Sequence, residues 1–234
     1  MNVLAIGCHP DDLEIGCGGT LAKLADQGHT IFMAHVANGD KGHKVIKPKE
    51  LKDIREKEAI SSGQLIGAKV FNLNIPDLFV KSDNDHIIFE LTDIIRKTKP
   101  DFIITHPPED YMKDHMEVSK AVFDASFAAT IPHYETSYPA YEKIVPIYYM
   151  DTLAGINFSP TEYVDITNYI DIKIKMNNCH QSQIKWLKEH DGIDFLDFVS
   201  TVSKFRGIQS GVEYAEGFTQ CQAWPRMLTE RLLP

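Results

Sequence analysis

Short apolar segments alternate with longer amphipathic segments through the first half of the chain. The apolar runs are continuous, as is typical of strands buried on both faces, and they cover 2–8, 30–38, 69–75 and 101–106. The segments between and after them have helical spacing or helix-ending Gly and Pro residues, and they cover 18–29, 48–67, 85–100 and 114–130. This alternation predicts an α/β fold: a Rossmann-like three-layer αβα arrangement with a mostly parallel sheet.

The pattern loosens from about residue 131. Segment 131–146 is rich in Pro and Tyr, which predicts an ordered loop that covers a sheet edge or an interface. Beyond it we predict strands at 147–153 and 162–166, a helix over 168–190, and irregular or short strand structure over 210–224. We treat 1–234 as a single domain, with the core at about 1–130 and loop, strand and helix additions at about 131–234.

Composition restricts the partners. The 234 residues carry a net charge of −9, so a nucleic-acid backbone is not an expected partner. No apolar run is long enough for a transmembrane segment, and the first residues do not resemble a signal peptide. The four cysteines form no CxxC pair, which favours free thiols in a reducing cytoplasm.

Ionisable residues follow three of the predicted strands. They lie at 9–12, 38–40 and 106–110. Because ligands bind at the carboxyl ends of parallel strands, these segments are expected to share one edge of the sheet.

A metal site is the chemistry that this edge suggests. His9 and Asp12 lie three positions apart in a turn, and His115 lies at the start of the helix after the fourth strand. Together they form a His2Asp set, which leaves a position for water on a zinc ion. Asp11 would then stay off the metal as a general base. The alternative is that HPDD is only a turn and helix entry, with Asp114 as another helix cap.

The same residues carry a family resemblance. HPDDLEIGCGGT at 9–20 and THPPEDYMKDHMEVSKAV at 105–122 resemble the motifs of the PIG-L/LmbE-like zinc-dependent de-N-acetylases. Segments 55–68, 179–183 and 206–218 extend the likeness over most of the chain.

The resemblance implies a cytoplasmic hydrolase that removes an N-acetyl group from an N-acetylglucosamine-type sugar or conjugate. It implies Zn2+ as the cofactor, with Fe2+ suited to the same ligands, and a homo-oligomer of three or six copies. His9, Asp12 and His115 would be the ligands, and Asp11 would be the base.

One position departs from the family pattern. Many members have a histidine where this chain has Met112, and a thioether cannot donate a proton. Asp11 could return its proton to the leaving amine instead. Asp110 and Asp114 are further catalytic candidates, and they rank above His106 as groups that position the intermediate.

Three residues are candidates for substrate contact: Asn38, Arg55 and His180. Each has a plain structural alternative, namely a turn, a solvated helix face and a structural histidine. Gly16, Gly18 and Gly19 either let a sugar approach the backbone or allow close helix–strand packing.

Three other functions compete with deacetylation. A dinucleotide-dependent dehydrogenase is disfavoured because carboxylates occupy the phosphate-binding turn. A metal- or carbohydrate-binding module without activity would not need Asp11. A zinc amidase that acts on another N-acyl bond, such as a thiol-conjugate amide, fits the same residues.

Overall fold

The computed structural model describes residues 1–234. Its strands are β1 (Asn2–Gly7), β2 (Thr30–Ala37), β3 (Lys69–Ile75), β4 (Phe102–Thr105), β5 (Ile147–Met150), β6 (Glu162–Asp165) and β7 (Ala215–Gln220). Its α-helices are α1 (Asp12–Asp26), α2 (Pro48–Gln64), α3 (Asp85–Thr98), α4 (Lys113–Ala128), α5 (Ile170–Asn178), α6 (Gln181–Trp186) and α7 (Phe195–Ser210). Two 3-10 turns, Leu153–Gly155 and Thr167–Tyr169, and a π-helical turn, Leu187–Asp191, complete the chain.

All seven strands form one sheet in the order β3-β2-β1-β4-β5-β7-β6. The first five positions in that order are parallel, and β7 is antiparallel to both β5 and β6. In β1, Val3 and Ala5 pack on one face while Leu4 and Ile6 pack on the other. Helices α3 and α4 cover one face, and α1 and α5 cover the other. The predicted three-layer fold is confirmed. None of its helices combines the length and hydrophobicity needed to cross a membrane.

Helix α1 begins at Asp12, whereas the sequence pattern placed its start at Gly18. The earlier start has a physical reason, because Asp12 and Glu14 then lie in the first turn, where the helix dipole favours carboxylates. Gly16 and Gly19 consequently lie inside the helix. A Cβ at Gly16 would lie 2.7 Å from Met150 Sδ, so this glycine serves close packing against the sheet.

The C-terminal third differs most from the expectation. The single helix predicted over 168–190 is wrong, since the chain breaks at Cys179 and His180 between α5 and α6. His180 is fully buried there and lies against Glu14 of α1. Helix α7 was not predicted, because buried polar residues such as Ser203 and Arg206 interrupt its apolar face.

A buried ion pair in the C-terminal half also contacts helix α1. Lys173 Nζ of α5 lies 2.6 Å from Glu216 Oε1 of β7, and both side chains are 2% exposed. The same carboxylate accepts the backbone N–H groups of Gly19 (2.9 Å) and Thr20 (2.7 Å) in α1. One carboxylate therefore connects α1, α5 and β7.

We expect Lys173→Met to lower the free energy of unfolding by about 3–5 kcal/mol, because it leaves a buried carboxylate without its counter-ion. The matched control is Lys143→Met, which breaks a pair with Asp101 whose side chains are 43% and 37% exposed. That change should cost less than about 1 kcal/mol. Urea denaturation measures both, and equal losses would contradict the role given to Lys173.

Candidate metal and catalytic site

The carboxyl ends of β1, β2 and β4 lie side by side, because Ile6 pairs with Ala34 on one side and with Thr105 on the other. The three polar segments that follow these strands therefore come to one edge of the sheet. Helices α1 and α4 also begin at this edge, and their first turns carry Asp12 and His115.

The Asp12 carboxylate is the centre of the cluster. Its Oδ2 atom lies 3.4 Å from His9 Nδ1, 3.3 Å from His115 Nε2 and 3.3 Å from His106 Nε2. Burial would raise the pKa of Asp12, but the neighbouring imidazoles, His115 foremost, hold it well below its usual value. The carboxylate is therefore ionised and can act as a metal ligand.

His115 and His9 each have a second carboxylate near the ring nitrogen that faces away from Asp12. Asp110 Oδ2 accepts from His115 Nδ1 at 3.1 Å, so the Nε2 atom of His115 faces Asp12. Asp114 Oδ2 lies 3.6 Å from His9 Nε2, so the opposite nitrogen of His9 faces Asp12. Such outer carboxylates fix the tautomer and orientation of metal-binding histidines.

His106 has a different environment. Its ring stacks on His115 at a centroid distance of 3.9 Å, and its Nε2 accepts the backbone N–H of Cys8 at 2.9 Å. Burial and the neighbouring His115 lower its pKa to about 4, so the ring is neutral. Because its one lone pair is occupied, His106 is less available as a ligand than His9 or His115.

The cluster fits a divalent cation. Asp12, His106 and His115 bring their ligand atoms within 4.8 Å of one another, and so do Cys8, His9 and Asp12. The buried Nε2 atom of His115 has no hydrogen-bond partner. Burial lowers the pKa of His115, but the neighbouring carboxylates raise it to about 9, so metal binding would displace a proton from this ring. Nitrogen and carboxylate donors of this kind suit Zn2+.

Asp11 lies beside the cluster and also lines the adjacent cavity. Its Oδ1 atom is 3.1 Å from Arg55 Nη2, and Arg55 in turn donates to the carbonyls of Pro10 and Gly39. Burial raises the pKa of Asp11 to about 6, with Arg55 acting in the opposite direction. Its φ angle of 114° lies in the left-handed region, so surrounding contacts hold a strained residue in place.

The other predicted site residues occupy different positions. Asp114 and Met112 line the cavity, but Asp110 does not, since it lies behind His115 and out of reach of a substrate. Asn38 binds the Asn74 carbonyl and the Asp40 N–H, and it also lies outside the cavity lining.

His180 does not face the cavity either. Its Nε2 lies 3.1 Å from Glu14 Oε1, and both side chains are fully buried. Burial would lower the pKa of His180, but Glu14 raises it. Of the three residues predicted to contact substrate, only Arg55 is placed to do so.

Asp77, which follows β3 at the same edge, was not predicted as a site residue. It accepts the N–H groups of Gly39 (2.8 Å) and Lys41 (3.0 Å) and lies 4.0 Å from His9 Nε2. The rule that placed the other segments at strand ends applies equally to the end of β3, and it could have found this residue.

A cavity of about 730 Å³ opens beside the cluster. His9, Asp11, Asp12 and Asp114 line it. Residues of the segment after β5 and of the stretch from α6 to the start of α7 line it as well.

The family model described as GlcNAc-PI de-N-acetylase, PIG-L, matches residues 4–126, which is just over half of the chain. The chain belongs to the PIG-L family. All of the cluster residues lie within the matched region, so the centre described above coincides with the part that defines PIG-L proteins.

Three similar proteins cover most of the chain. Diacetylchitobiose deacetylase of Thermococcus kodakarensis is 26% identical over 92% of this chain and 81% of its own. The 4-oxalmesaconate hydratase of Pseudomonas putida is also 26% identical, over 99% of this chain and 92% of its own. The structure of N,N'-diacetylchitobiose deacetylase from Pyrococcus horikoshii has a TM-score of 0.81 and 28% identity, covering 94% of this chain and 83% of that one.

We expect Asp110→Asn to weaken the binding of a divalent metal by about 10–100-fold, because His115 loses the charge that orients it. Isothermal titration with Zn2+ measures the change. Asp124→Asn, at an exposed position on the same helix, is the matched control and should bind as the unaltered protein does. Unchanged affinity in Asp110→Asn would contradict the orienting role.

Proposed function

We propose that this protein is a zinc-dependent deacetylase that removes the N-acetyl group from an N-acetylglucosamine-type sugar or sugar conjugate. PIG-L membership and the two diacetylchitobiose deacetylases support the reaction. The observation that carries the proposal is the position of Asp11, whose carboxylate borders both the cluster and the cavity. A site that only bound metal would not need this second carboxylate.

In this proposal His9, Asp12 and His115 hold the metal. When bound, a divalent cation would act as a Lewis acid on the acetyl carbonyl and bring the pKa of a water toward about 7. Zn2+ suits the ligand set best, and Fe2+ can bind the same groups. Asp110 and Asp114 would keep the two imidazoles oriented.

Asp11 would transfer the proton from water to the leaving nitrogen. Hydrolysis places the hydroxyl of water on the acetyl carbon and a proton on the sugar nitrogen, so that acetate and a free amine result. Asp11 takes the proton from water and then delivers it to the nitrogen as the C–N bond breaks. Arg55 holds the carboxylate at the cavity wall throughout. This assignment needs no donor at Met112.

A hydratase is the second candidate, because the Pseudomonas putida hydratase aligns with nearly the full length of the chain. An activated water and a carboxylate base could also serve addition to a double bond. The substrate in that relative's name, 4-oxalmesaconate, is an anion and would need cationic partners. Lys41, Arg55 and Lys113 are the Lys and Arg residues that line the cavity, and the first two already pair with aspartates. Only Lys113 has no ion pair, which favours the neutral amide.

We expect Asp11→Asn to slow acetate release from N-acetylglucosamine derivatives by about 10²–10⁴-fold while bound zinc is retained. Asp53→Asn, on an exposed face of α2, is the control and should keep full activity. Full activity in Asp11→Asn would exclude this residue as the base.

Removal of the metal tests the rest of the proposal. Dialysis against a chelator should abolish acetate release, and adding back Zn2+ or Fe2+ should show which ion restores it. Stoichiometric zinc without hydrolysis of any N-acyl sugar or thiol-conjugate amide would favour a binding module instead. Hydration of an unsaturated acid without amide cleavage would favour the hydratase.

The assembly of three or six copies stays a prediction, which sedimentation equilibrium can test.

A further inference from the structure

Two chemically different groups of residues line the cavity. Besides the carboxylates and the His9 imidazole, the lining contains an apolar group that we call the apolar wall, formed by Leu153, Ile156, Leu187, Ile193, Phe195 and Phe198. Eleven of the 21 residues that line the cavity are hydrophobic, Met112 and Ile15 among them. A group bound against this wall would find few hydrogen-bond partners.

Several apolar side chains at the mouth of the cavity remain in contact with water. Leu78 is 74% exposed, Tyr111 59%, Ile156 55% and Ile193 41%. Single exposed apolar residues are ordinary, but a cluster around a cavity marks a place where an apolar ligand is bound. Ile156 and Ile193 belong to both the wall and the mouth, so the two sets share residues.

Specific contacts hold the apolar wall in shape. Arg206 of α7 binds Asp151 at 2.6 Å and the Phe158 carbonyl at 3.2 Å, which fixes the segment between them. Thr152 Oγ1 donates to the Ile156 carbonyl at 2.7 Å. Ala154 has a φ of 59°, a strained conformation that these contacts maintain. The part of the wall at Leu153 and Ile156 is therefore preformed.

Charge argues against an anionic occupant. Arg55 pairs with Asp11 and Lys41 with Asp40, which leaves Lys113 as the one Lys or Arg of the lining without an ion pair. Four carboxylates, those of Asp11, Asp12, Asp77 and Asp114, line the cavity. The sugar itself needs hydrogen bonds and would lie on this polar side.

The geometry points to a substrate whose N-acetylated sugar carries a hydrophobic aglycone, an alkyl or aryl group, instead of a second sugar or a phosphate. This inference rests on the proposed deacetylase function for the position of the sugar. The aglycone lies along the apolar wall, while the acetamide lies at Asp11. All six residues of the wall lie beyond 126, outside the region that the PIG-L model matches.

The test compares methyl, butyl, hexyl and phenyl N-acetylglucosaminides with N,N'-diacetylchitobiose as substrates of the zinc-loaded protein. We expect kcat/KM to rise by roughly threefold per methylene over the first carbons, since each buried methylene is stabilised by contact with the wall. N-Hexanoyl methyl glucosaminide carries the longer chain on the amide nitrogen instead of the aglycone, so it tests whether the wall binds the acyl group. Equal rates for methyl and hexyl glycosides, a preference for the disaccharide, or acceleration by the longer acyl chain would each overturn the inference.

A double variant tests the wall directly. Ile156→Ser with Ile193→Ser alters two exposed side chains and should reduce the hexyl-to-methyl ratio of kcat/KM by about tenfold. Ile208→Ser, a 71% exposed residue of α7 that does not line the cavity, is the control and should leave the ratio unchanged. An unchanged ratio in the double variant, or a changed oligomeric state with no effect on the ratio, would contradict the assignment.

Calorimetric binding of alkyl glucosides, which carry no amide, separates the two proposals. Chain-length-dependent binding that the double variant weakens supports the aglycone inference even if no N-acetyl sugar is hydrolysed, in which case only the deacetylase proposal fails. Hydrolysis together with binding that ignores chain length rejects the aglycone and keeps the deacetylase.

Discussion

A buried negative charge at the end of β1 determines much of the arrangement around it. Asp12 is 6% exposed, and three imidazole nitrogen atoms lie within 3.4 Å of one of its oxygens. Asp110 and Asp114 add two more carboxylates behind the imidazoles. The guanidinium of Arg55 is engaged by Asp11, so this charge is balanced either by protonated imidazoles or by a bound cation. A divalent cation would neutralise the cluster and use the lone pairs that converge on it.

The parallel sheet is what brings these groups together, and this part could be predicted from the sequence. Each segment after a buried parallel strand must emerge at the same edge, whatever its distance along the chain. His9 and His115 were therefore expected near each other although about a hundred positions separate them. The same rule extends to Asp77. The rule fixes which segments meet, since it depends only on strand order and direction.

Side-chain direction within those segments could not be predicted in the same way. Asp110 and Asp114 are four positions apart, yet one lies behind His115 and the other lines the cavity. His106 accepts a backbone N–H from Cys8, a contact that depends on the local path of the β1 loop. The side chain of His180 is buried because it contacts the carboxylate of Glu14. Each case depends on a partner that no spacing in the sequence reveals.

The polar and apolar residues of the cavity come from parts of the chain with different constraints. The carboxylates and His9 lie within the region shared with the PIG-L family, whereas all six residues of the apolar wall lie beyond it. Buried pairs such as Arg206–Asp151 hold that second part, and they leave no local apolar period, which is why α7 escaped prediction. A hydratase and deacetylases resemble this chain to a similar degree. Overall similarity therefore does not distinguish their substrates, and the residues of the wall are the better guide to what this protein binds.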